Sequence, residues 1–275
     1  MTRVALATCA EIPDLEPDDR LLLPALAAQG IQGVPAVWDD EAVEWGAFGL
    51  VLVRSTWDYA ERRDEFLAWA GSLALVENPV PLLEWNTDKR YLEQLAAAGV
   101  RTVDTLFVPP GEPFAAPPAP FVVKPSVSAG GRSSARFGPA DRDAANALVR
   151  RLHAEGRTAM IQPYLDDAGE KALVYIAGEY SHSLARRVPL PAGGERPVLY
   201  LDEELAPAEA SGREREIAEA ALSCAPGEPL YARVDLLGAA VLELELTEPS
   251  LYLELGAGAA DRLARAISER LAPRR

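Results

Sequence analysis

Apolar and polar positions alternate in two rhythms along this chain, and the first 80 residues switch between them repeatedly. Short apolar runs at residues 3–8, 33–38, 49–53 and 73–77 read as strands. Between them, residues 18–29 and 59–70 carry apolar side chains at helical spacing. Gly30 closes the first helix, and Phe66, Leu67 and Trp69 form the stripe of the second. Strands alternating with helices predict an open parallel sheet, whose ligands sit at the carboxyl ends of the strands.

The rhythm then changes. Asn86 or Thr87 can cap a helix over residues 88–98, stopped by Gly99, and a proline-rich stretch at 109–120 reads as a loop between lobes. A strand at 121–124, a helix at 141–155 and a strand at 158–162 follow, the last broken by Gln162-Pro163-Tyr164-Leu165. Runs at 171–177 and 180–188 meet at the turn signal Gly178-Glu179, and runs at 231–237 and 241–246 form a hairpin about residues 238–240. A final helix, 260–271, mixes arginine with apolar residues and suits either a core cover or an interface.

Several segments carry chemistry. The third strand runs into Arg54-Ser55-Thr56-Trp57-Asp58-Tyr59, where an arginine, hydroxyls and a carboxylate could dock a polar substrate. The same residues also read as a helix start, with Ser55 or Thr56 as cap and Trp57 and Tyr59 as packing. Only three of the 27 basic residues are lysine, namely Lys89, Lys124 and Lys171, and each lies in or beside a segment that suits a nucleotide. Lys89 in a first helical turn opposes the helix dipole unless an anion is near. Lys124 ends a strand ahead of Pro125-Ser126-Val127-Ser128-Ala129-Gly130-Gly131-Arg132-Ser133, a small-residue loop that can bring amides and hydroxyls to phosphate oxygens, or simply turn a hairpin. The lysine precedes the glycines, so this is no Walker A motif. Around Pro163 the extended backbone could hydrogen-bond a purine edge. In the hairpin, a three-residue loop would pair Leu237 with Val241 and set Asp235 opposite Glu243, with Glu245 on the same face. Three carboxylates on an otherwise apolar sheet repel one another unless a hard cation such as magnesium joins them, although a solvent-facing strand also tolerates the pattern.

Composition narrows the classes. With 275 residues, 49% of them hydrophobic, the chain can bury a large core divided into two or three lobes. A formal charge of -15 argues against nucleic-acid or acidic-membrane partners. No run of about 18 apolar residues or signal-peptide pattern stands out, so a cytoplasmic enzyme is expected. Cys9, Cys224, His153 and His182 show no ligand spacing, and neither zinc nor a disulfide framework is expected.

Taken in order, the helix-start lysine, the V-K-P strand with its Ser/Gly loop, the hinge, the arginine strand and the D…E-x-E hairpin resemble the ATP-grasp superfamily of carboxylate-amine ligases. The resemblance covers roughly residue 82 to the end. R-S-T-W-D-Y, W-N-T-D-K-R-Y-L and L-E-L-E-L-T-E-P-S-L resemble its O-ureido-serine cyclo-ligase branch, known from cycloserine biosynthesis. The implied fold class is α/β, with two α+β lobes clamping ATP behind a Rossmann-like parallel-sheet domain. Residues 1–84 would form the substrate domain, 85–163 the small lobe with its phosphate loop, and 164–275 the C-terminal lobe with the metal site.

The resemblance also implies roles. Lys89 and Lys124 would contact the phosphates of ATP under a loop carrying Ser126, Ser128, Gly130 and Gly131. Gln162, Tyr164 and Leu165 would hold adenine, with Glu170 at the ribose. Arg186 and Lys124 would act on the transferred phosphoryl group, and Asp235, Glu243 and Glu245 would ligate Mg2+. Glu245 departs from the family's usual asparagine, and a register using Glu248 stays open. Arg54, Ser55, Trp57, Asp58 and Arg233 would face a small amino-acid-like substrate. The expected reaction is carboxylate activation as an acyl phosphate and attack by nitrogen, intramolecular or between two molecules. A phosphotransferase and a non-catalytic ATP-binding module in a biosynthetic complex are the alternatives, and the sequence leaves oligomeric state open.

Overall fold

The computed structural model describes residues 1–165, 169–194 and 203–272. Four parallel strands open the chain, β1 (Thr2–Thr8), β2 (Ile31–Val37), β3 (Leu50–Ser55) and β4 (Val76–Glu77), in the order β2-β1-β3-β4. These strands read as continuous apolar runs because both faces are covered. On one face Val4, Leu6, Leu50 and Leu52 meet α1 (Leu22–Ala28); on the other Ala5, Ala7, Val51 and Val53 meet Trp38, Trp57 and Phe66, the last carried by α2 (Arg63–Ser72). Gly30 ends the first helical segment at φ +74°, a conformation that costs a glycine little.

The helix expected at 88–98 starts three residues late, and a further helix that was not expected precedes it. α3 (Val80–Asn86) starts with proline in its first turn, and α4 (Tyr91–Ala97) follows a short turn. Lys89 therefore sits in the turn between helices rather than in a first helical turn, and Asn86 caps neither helix. Its side chain instead donates to Leu244 O and accepts from Leu246 N at 2.7 Å each, pinning this corner to the last hairpin.

A small antiparallel sheet comes next, formed by β5 (Leu106–Val108), β6 (Phe121–Pro125), β7 (Ala135–Phe137) and β8 (Ala159–Pro163), in the order β5-β8-β6-β7. Its inner face packs Val123, Phe121 and Ile161 under Leu148 and Leu152 of the amphipathic α5 (Arg142–Ala154). The third sheet is antiparallel, with β9 (Glu170–Ile176), β10 (Glu179–Arg187), β11 (Glu204–Pro207), β12 (Tyr231–Leu237) and β13 (Ala240–Glu245) in the order β11-β10-β9-β12-β13. α6 (Gly212–Leu222), held by a Ser211–Glu214 capping box, covers one side through Ile217, Ala218 and Ala221. α7 (Ala259–Leu271) returns to the first domain and seals its sheet with Leu263, Ala264 and Ile267, so this helix covers core.

The β12–β13 hairpin differs from its expected form in one detail. The turn holds two residues, Gly238 and Ala239, and Leu237 pairs with Ala240. A bulge at Leu242 then restores the register, so Asp235 still stands opposite Glu243 and Arg233 opposite Glu245.

Candidate active site

A cleft of about 710 Å³ lies between the small sheet, the large sheet and the carboxyl ends of β1 and β3. That volume lies within the range of small-molecule and cofactor pockets. Each wall arises from a local feature of the sequence. β6 delivers Lys124 one residue before its end, where Pro125 pairs with Ala159 without an amide donor of its own. The following loop turns through Gly130 and Gly131 at φ +60° and +72°. A side chain there would be strained, and the glycines line the cleft.

Lys89 and Lys124 meet at Glu243. Their ammonium groups stand 3.0 and 3.2 Å from its two carboxylate oxygens, and Lys89 also donates to Ser128 O at 2.6 Å. Burial alone would raise the Glu243 pKa, but Lys124 and Lys89 override it and hold the carboxyl well below the usual range. Opposite them, Arg233 grips both oxygens of Asp235 at 2.9 and 3.0 Å and reaches Glu245 at 2.6 Å. Burial, opposed by Arg233 but reinforced by Glu243 and Asp235, pushes Glu245 up to about 7. Arg186 forms a close ion pair with Glu170 at 2.7 Å that lacks hydrogen-bond alignment, and lies 3.3 Å from Asp235. Tyr252 donates its hydroxyl to Glu203 at 2.7 Å and accepts from Arg186 at 3.2 Å.

The far end of the cleft is acidic. Glu16 accepts from Ser250 Oγ at 3.1 Å, and burial with Asp19 and Asp18 nearby pushes it up to about 7. Glu248 interacts with the Tyr59 hydroxyl, and burial with Glu245 nearby pushes it up to about 8. Such carboxyls at a water-poor surface await a positive partner or hold a proton.

Of the residues expected at the site, Lys89, Lys124, Ser128, Gly130, Gly131, Gln162, Tyr164, Leu165, Glu170, Arg186, Glu243, Glu245, Trp57 and Arg233 border this cleft. Tyr164 has already donated its amide to Pro120 O at 3.0 Å, which removes that group as a purine donor. Other expectations are corrected. Arg54 and Ser55 are buried behind the wall, both bonded to Asp19. Asp58 accepts from Trp38 and Arg62 instead of facing a substrate. Ser126 is a framing residue, its carbonyl accepting from Lys89 N and its amide donating to Thr158 O. Lys171 lies outside the cleft against Glu214 at 2.9 Å. Asp235 is fully buried beneath Arg233 and Arg186 and does not line the cleft. Glu16, Asp18, Ser250 and Tyr252 were not anticipated. For Glu16 and Asp18 a signal existed, since both follow the carboxyl end of β1.

Among the described residues, no three carboxylate, histidine or cysteine side chains form a ready metal cage. The expected Asp235, Glu243 and Glu245 trio is not presented together, because Asp235 is fully buried and does not reach the cleft. The remaining pair still fits magnesium, which commonly uses one or two carboxylates and completes its shell with phosphate oxygens and water. Glu243 and Glu245 both face the cleft, with Lys89 and Lys124 beside them to meet those phosphates. No helix among the described residues is long and apolar enough to cross a membrane.

Comparison with known proteins agrees with this layout. Residues 4–83 match the N-terminal domain of D-cycloserine synthetase DcsG, and residues 112–257 match the ATP-grasp domain of prokaryotic glutathione synthetase. The chain is 36% identical to the cycloserine biosynthesis protein DcsG of Streptomyces lavendulae, over 98% of this chain and 99% of that one. The crystal structure of D-cycloserine synthetase DcsG superposes with a TM-score of 0.85 at 32% identity, covering 98% of this chain and all of that one. D-alanine--D-alanine ligase from Bacillus anthracis, solved with ATP, shares the fold at a TM-score of 0.68 and 15% identity, over 98% and 97% of the two chains. With a relative this similar along its whole length, and with both of its domains matched, the chain belongs to the ATP-grasp ligase family, in the group that carries the D-cycloserine synthetase N-terminal domain.

Proposed function

We propose that this ligase converts ATP to ADP while forming a C–N bond on a small amino-acid-like substrate in the cytoplasm, closing it into a ring as D-cycloserine synthetase is named for doing. The observation that carries the reading is the meeting of Lys89, Lys124, Arg186, Glu243 and Glu245 around one cleft whose far end is lined by Glu16 and Glu248. The described wall of that cleft contains no histidine or cysteine. A mechanism of positioning and charge neutralisation needs neither.

Bound magnesium and ATP would supply a transferable phosphoryl group with part of its charge neutralised. Glu243 and Glu245 would hold the metal, while Lys89 would exchange its contact with Glu243 for a phosphate oxygen. Lys124 and Arg186 would stabilise negative charge as the substrate carboxylate attacks the terminal phosphorus. Arg186 is suited to this because Asp235 and Glu170 overcome the effect of burial and keep its guanidinium firmly charged. The resulting acyl phosphate is an electrophile, and a nitrogen within the same molecule would displace phosphate. Glu16, at the acidic end, would accept a hydrogen bond from the substrate ammonium group and so hold the molecule with its carboxylate toward Arg186.

The test is product analysis with Mg-ATP and a panel of amino acids that includes O-ureido-serine, with and without an added amine. A cyclised product, ADP and phosphate from one organic substrate are expected. Strict dependence on a second amine would replace cyclisation with joining, and a stable phosphorylated amino acid would overturn the ligase assignment.

A further inference from the structure

The signature stretch that begins in the last residues of β3 does not present its arginine to the cleft, and its buried contacts point elsewhere. Arg54 and Asp19 are each 1% exposed and form a bifurcated pair, with Arg54 Nε and Nη2 at 2.9 and 2.8 Å from Asp19 Oδ1. Nη2 also donates to Pro249 O at 2.7 Å, across 195 residues of chain. The neighbouring carbonyls are held too. Trp57 Nε1 donates to Glu248 O at 3.2 Å, while Tyr231 Oη, whose ring lies under Arg54, shares its one proton among Val53 O at 2.7 Å, Thr247 O at 3.0 Å and Glu77 O at 3.1 Å. Two consecutive carbonyls, of Glu248 and Pro249, are thus gripped from behind the wall.

On the other side of the pair, Ser55 Oγ donates to Asp19 Oδ2 at 2.8 Å and accepts from Glu16 N at 3.2 Å. One buried network therefore fixes both edges of the cleft's acidic end, Glu16 from the first domain and Glu248 to Ser250 from the last. Stability is a poor reason for such an arrangement. Well-packed apolar replacements of a buried ion pair are often neutral or stabilising, and Arg54 Nη1 is buried here without a hydrogen-bond partner.

We infer that Arg54 and Asp19 are positioning residues that set the spacing between Glu16 and the Glu248–Ser250 rim, and thereby organic-substrate affinity, without touching the substrate. The inference rests on the proposed ligase reading, because it takes this end of the cleft as the seat of the organic substrate. Among the described residues, no hydrogen bond or ion pair joins Lys89 or Lys124 at the nucleotide end to Arg54, Asp19 or Ser55. Disrupting the pair should therefore change one KM and spare the other ligand.

The experiment compares the full-length chain with an Arg54→Met/Asp19→Asn double variant, which removes both buried charges together and avoids leaving one unpaired. The rim is expected to shift on the order of 1 Å, a misplacement worth up to about 10²-fold in productive binding. The organic-substrate KM should rise roughly tenfold or more, with Mg-ATP affinity by calorimetry within about twofold. A folded variant with unchanged KM overturns the proposal, as does equal loss of both affinities. If the double variant does not fold, Ser55→Ala, at a position buried outside the cleft wall, removes the link from Asp19 to Glu16 N and decides the matter: a several-fold rise in the organic-substrate KM supports the proposal and an unchanged KM overturns it. A crystal structure of whichever variant folds gives a readout without turnover, since an unmoved rim overturns the strut. Absence of ATP consumption by the wild type with every substrate would instead overturn the ligase reading, and the rim displacement would still judge the strut.

Discussion

Replacing Glu248 by glutamine should make the ligand-free protein more stable above neutral pH. The carboxyl is 9% exposed and is pushed up to about 8, chiefly by burial and then by Glu245. Because its folded pKa exceeds the ordinary 4.5, the folded protein holds more protons than the unfolded chain between those values. The contribution is complete below pH 4.5 and is lost as pH rises through about 8. From 4.5 to about 8, at about 1.36 kcal/mol per pK unit, the loss approaches roughly 5 kcal/mol as an upper bound. Water entering an open cleft should leave roughly half of that, 2–3 kcal/mol. Glutamine keeps an acceptor for Tyr59 and cannot ionise, so the variant escapes the loss. Urea unfolding of both proteins without nucleotide, at intervals from pH 4 to pH 9, should give curves that coincide near pH 4, separate progressively above about pH 4.5 and run parallel beyond about pH 8. Parallel curves across the whole range would show that Glu248 does not face a water-poor environment, and the electrostatic account of the acidic end would fall.

Two further changes probe opposite ends of the cleft. Glu16 is pushed up to about 7 and must be ionised to receive an ammonium group, so kcat/KM should fall as pH drops through about 7. Glu16→Gln should flatten that limb and raise the organic-substrate KM; a variant that keeps the wild-type profile would exclude Glu16 from substrate binding. Lys89→Met removes contacts to Glu243 and Ser128 O and should weaken Mg-ATP binding by at least about tenfold, a loss typical of one charged hydrogen bond. Unchanged affinity in a nucleotide titration would place the phosphates away from this wall.

Much of the architecture could be read from the chain because its local signals agree with its tertiary surroundings. The parallel sheet was legible through strands apolar on both faces, and the last hairpin through carboxylates placed two residues apart. Its facing pairs were correct although the turn was misjudged, because the bulge at Leu242 offsets the shorter loop. Three-residue strands such as β5 and β7 left too little pattern to detect. α6 buries only Ile217, Ala218 and Ala221, so its apolar stripe is thin, although the S-x-x-E capping box was present in the sequence.

At the site, Lys89 and Lys124 stood out because lysine is so rare in this chain, and Glu243 because the hairpin sets it opposite Asp235; the helix-dipole reason for Lys89 did not hold, since it lies in a turn. Arg54 was misleading for a physical reason. An arginine at the carboxyl end of a strand reads the same whether it meets a ligand or a carboxylate from another loop, and its partner Asp19 lies 35 residues earlier. Asp235 misled differently: Arg233, two residues earlier on its own strand, and Arg186 from β10 together take it up.

The most direct test of the central claim is substrate-dependent ADP release with hydroxylamine present, comparing the native chain with Glu243→Gln. The account predicts ADP and a hydroxamate trapped from an acyl phosphate, both lost in the variant. ADP release that depends on substrate but yields no hydroxamate, or that survives Glu243→Gln unchanged, would contradict it.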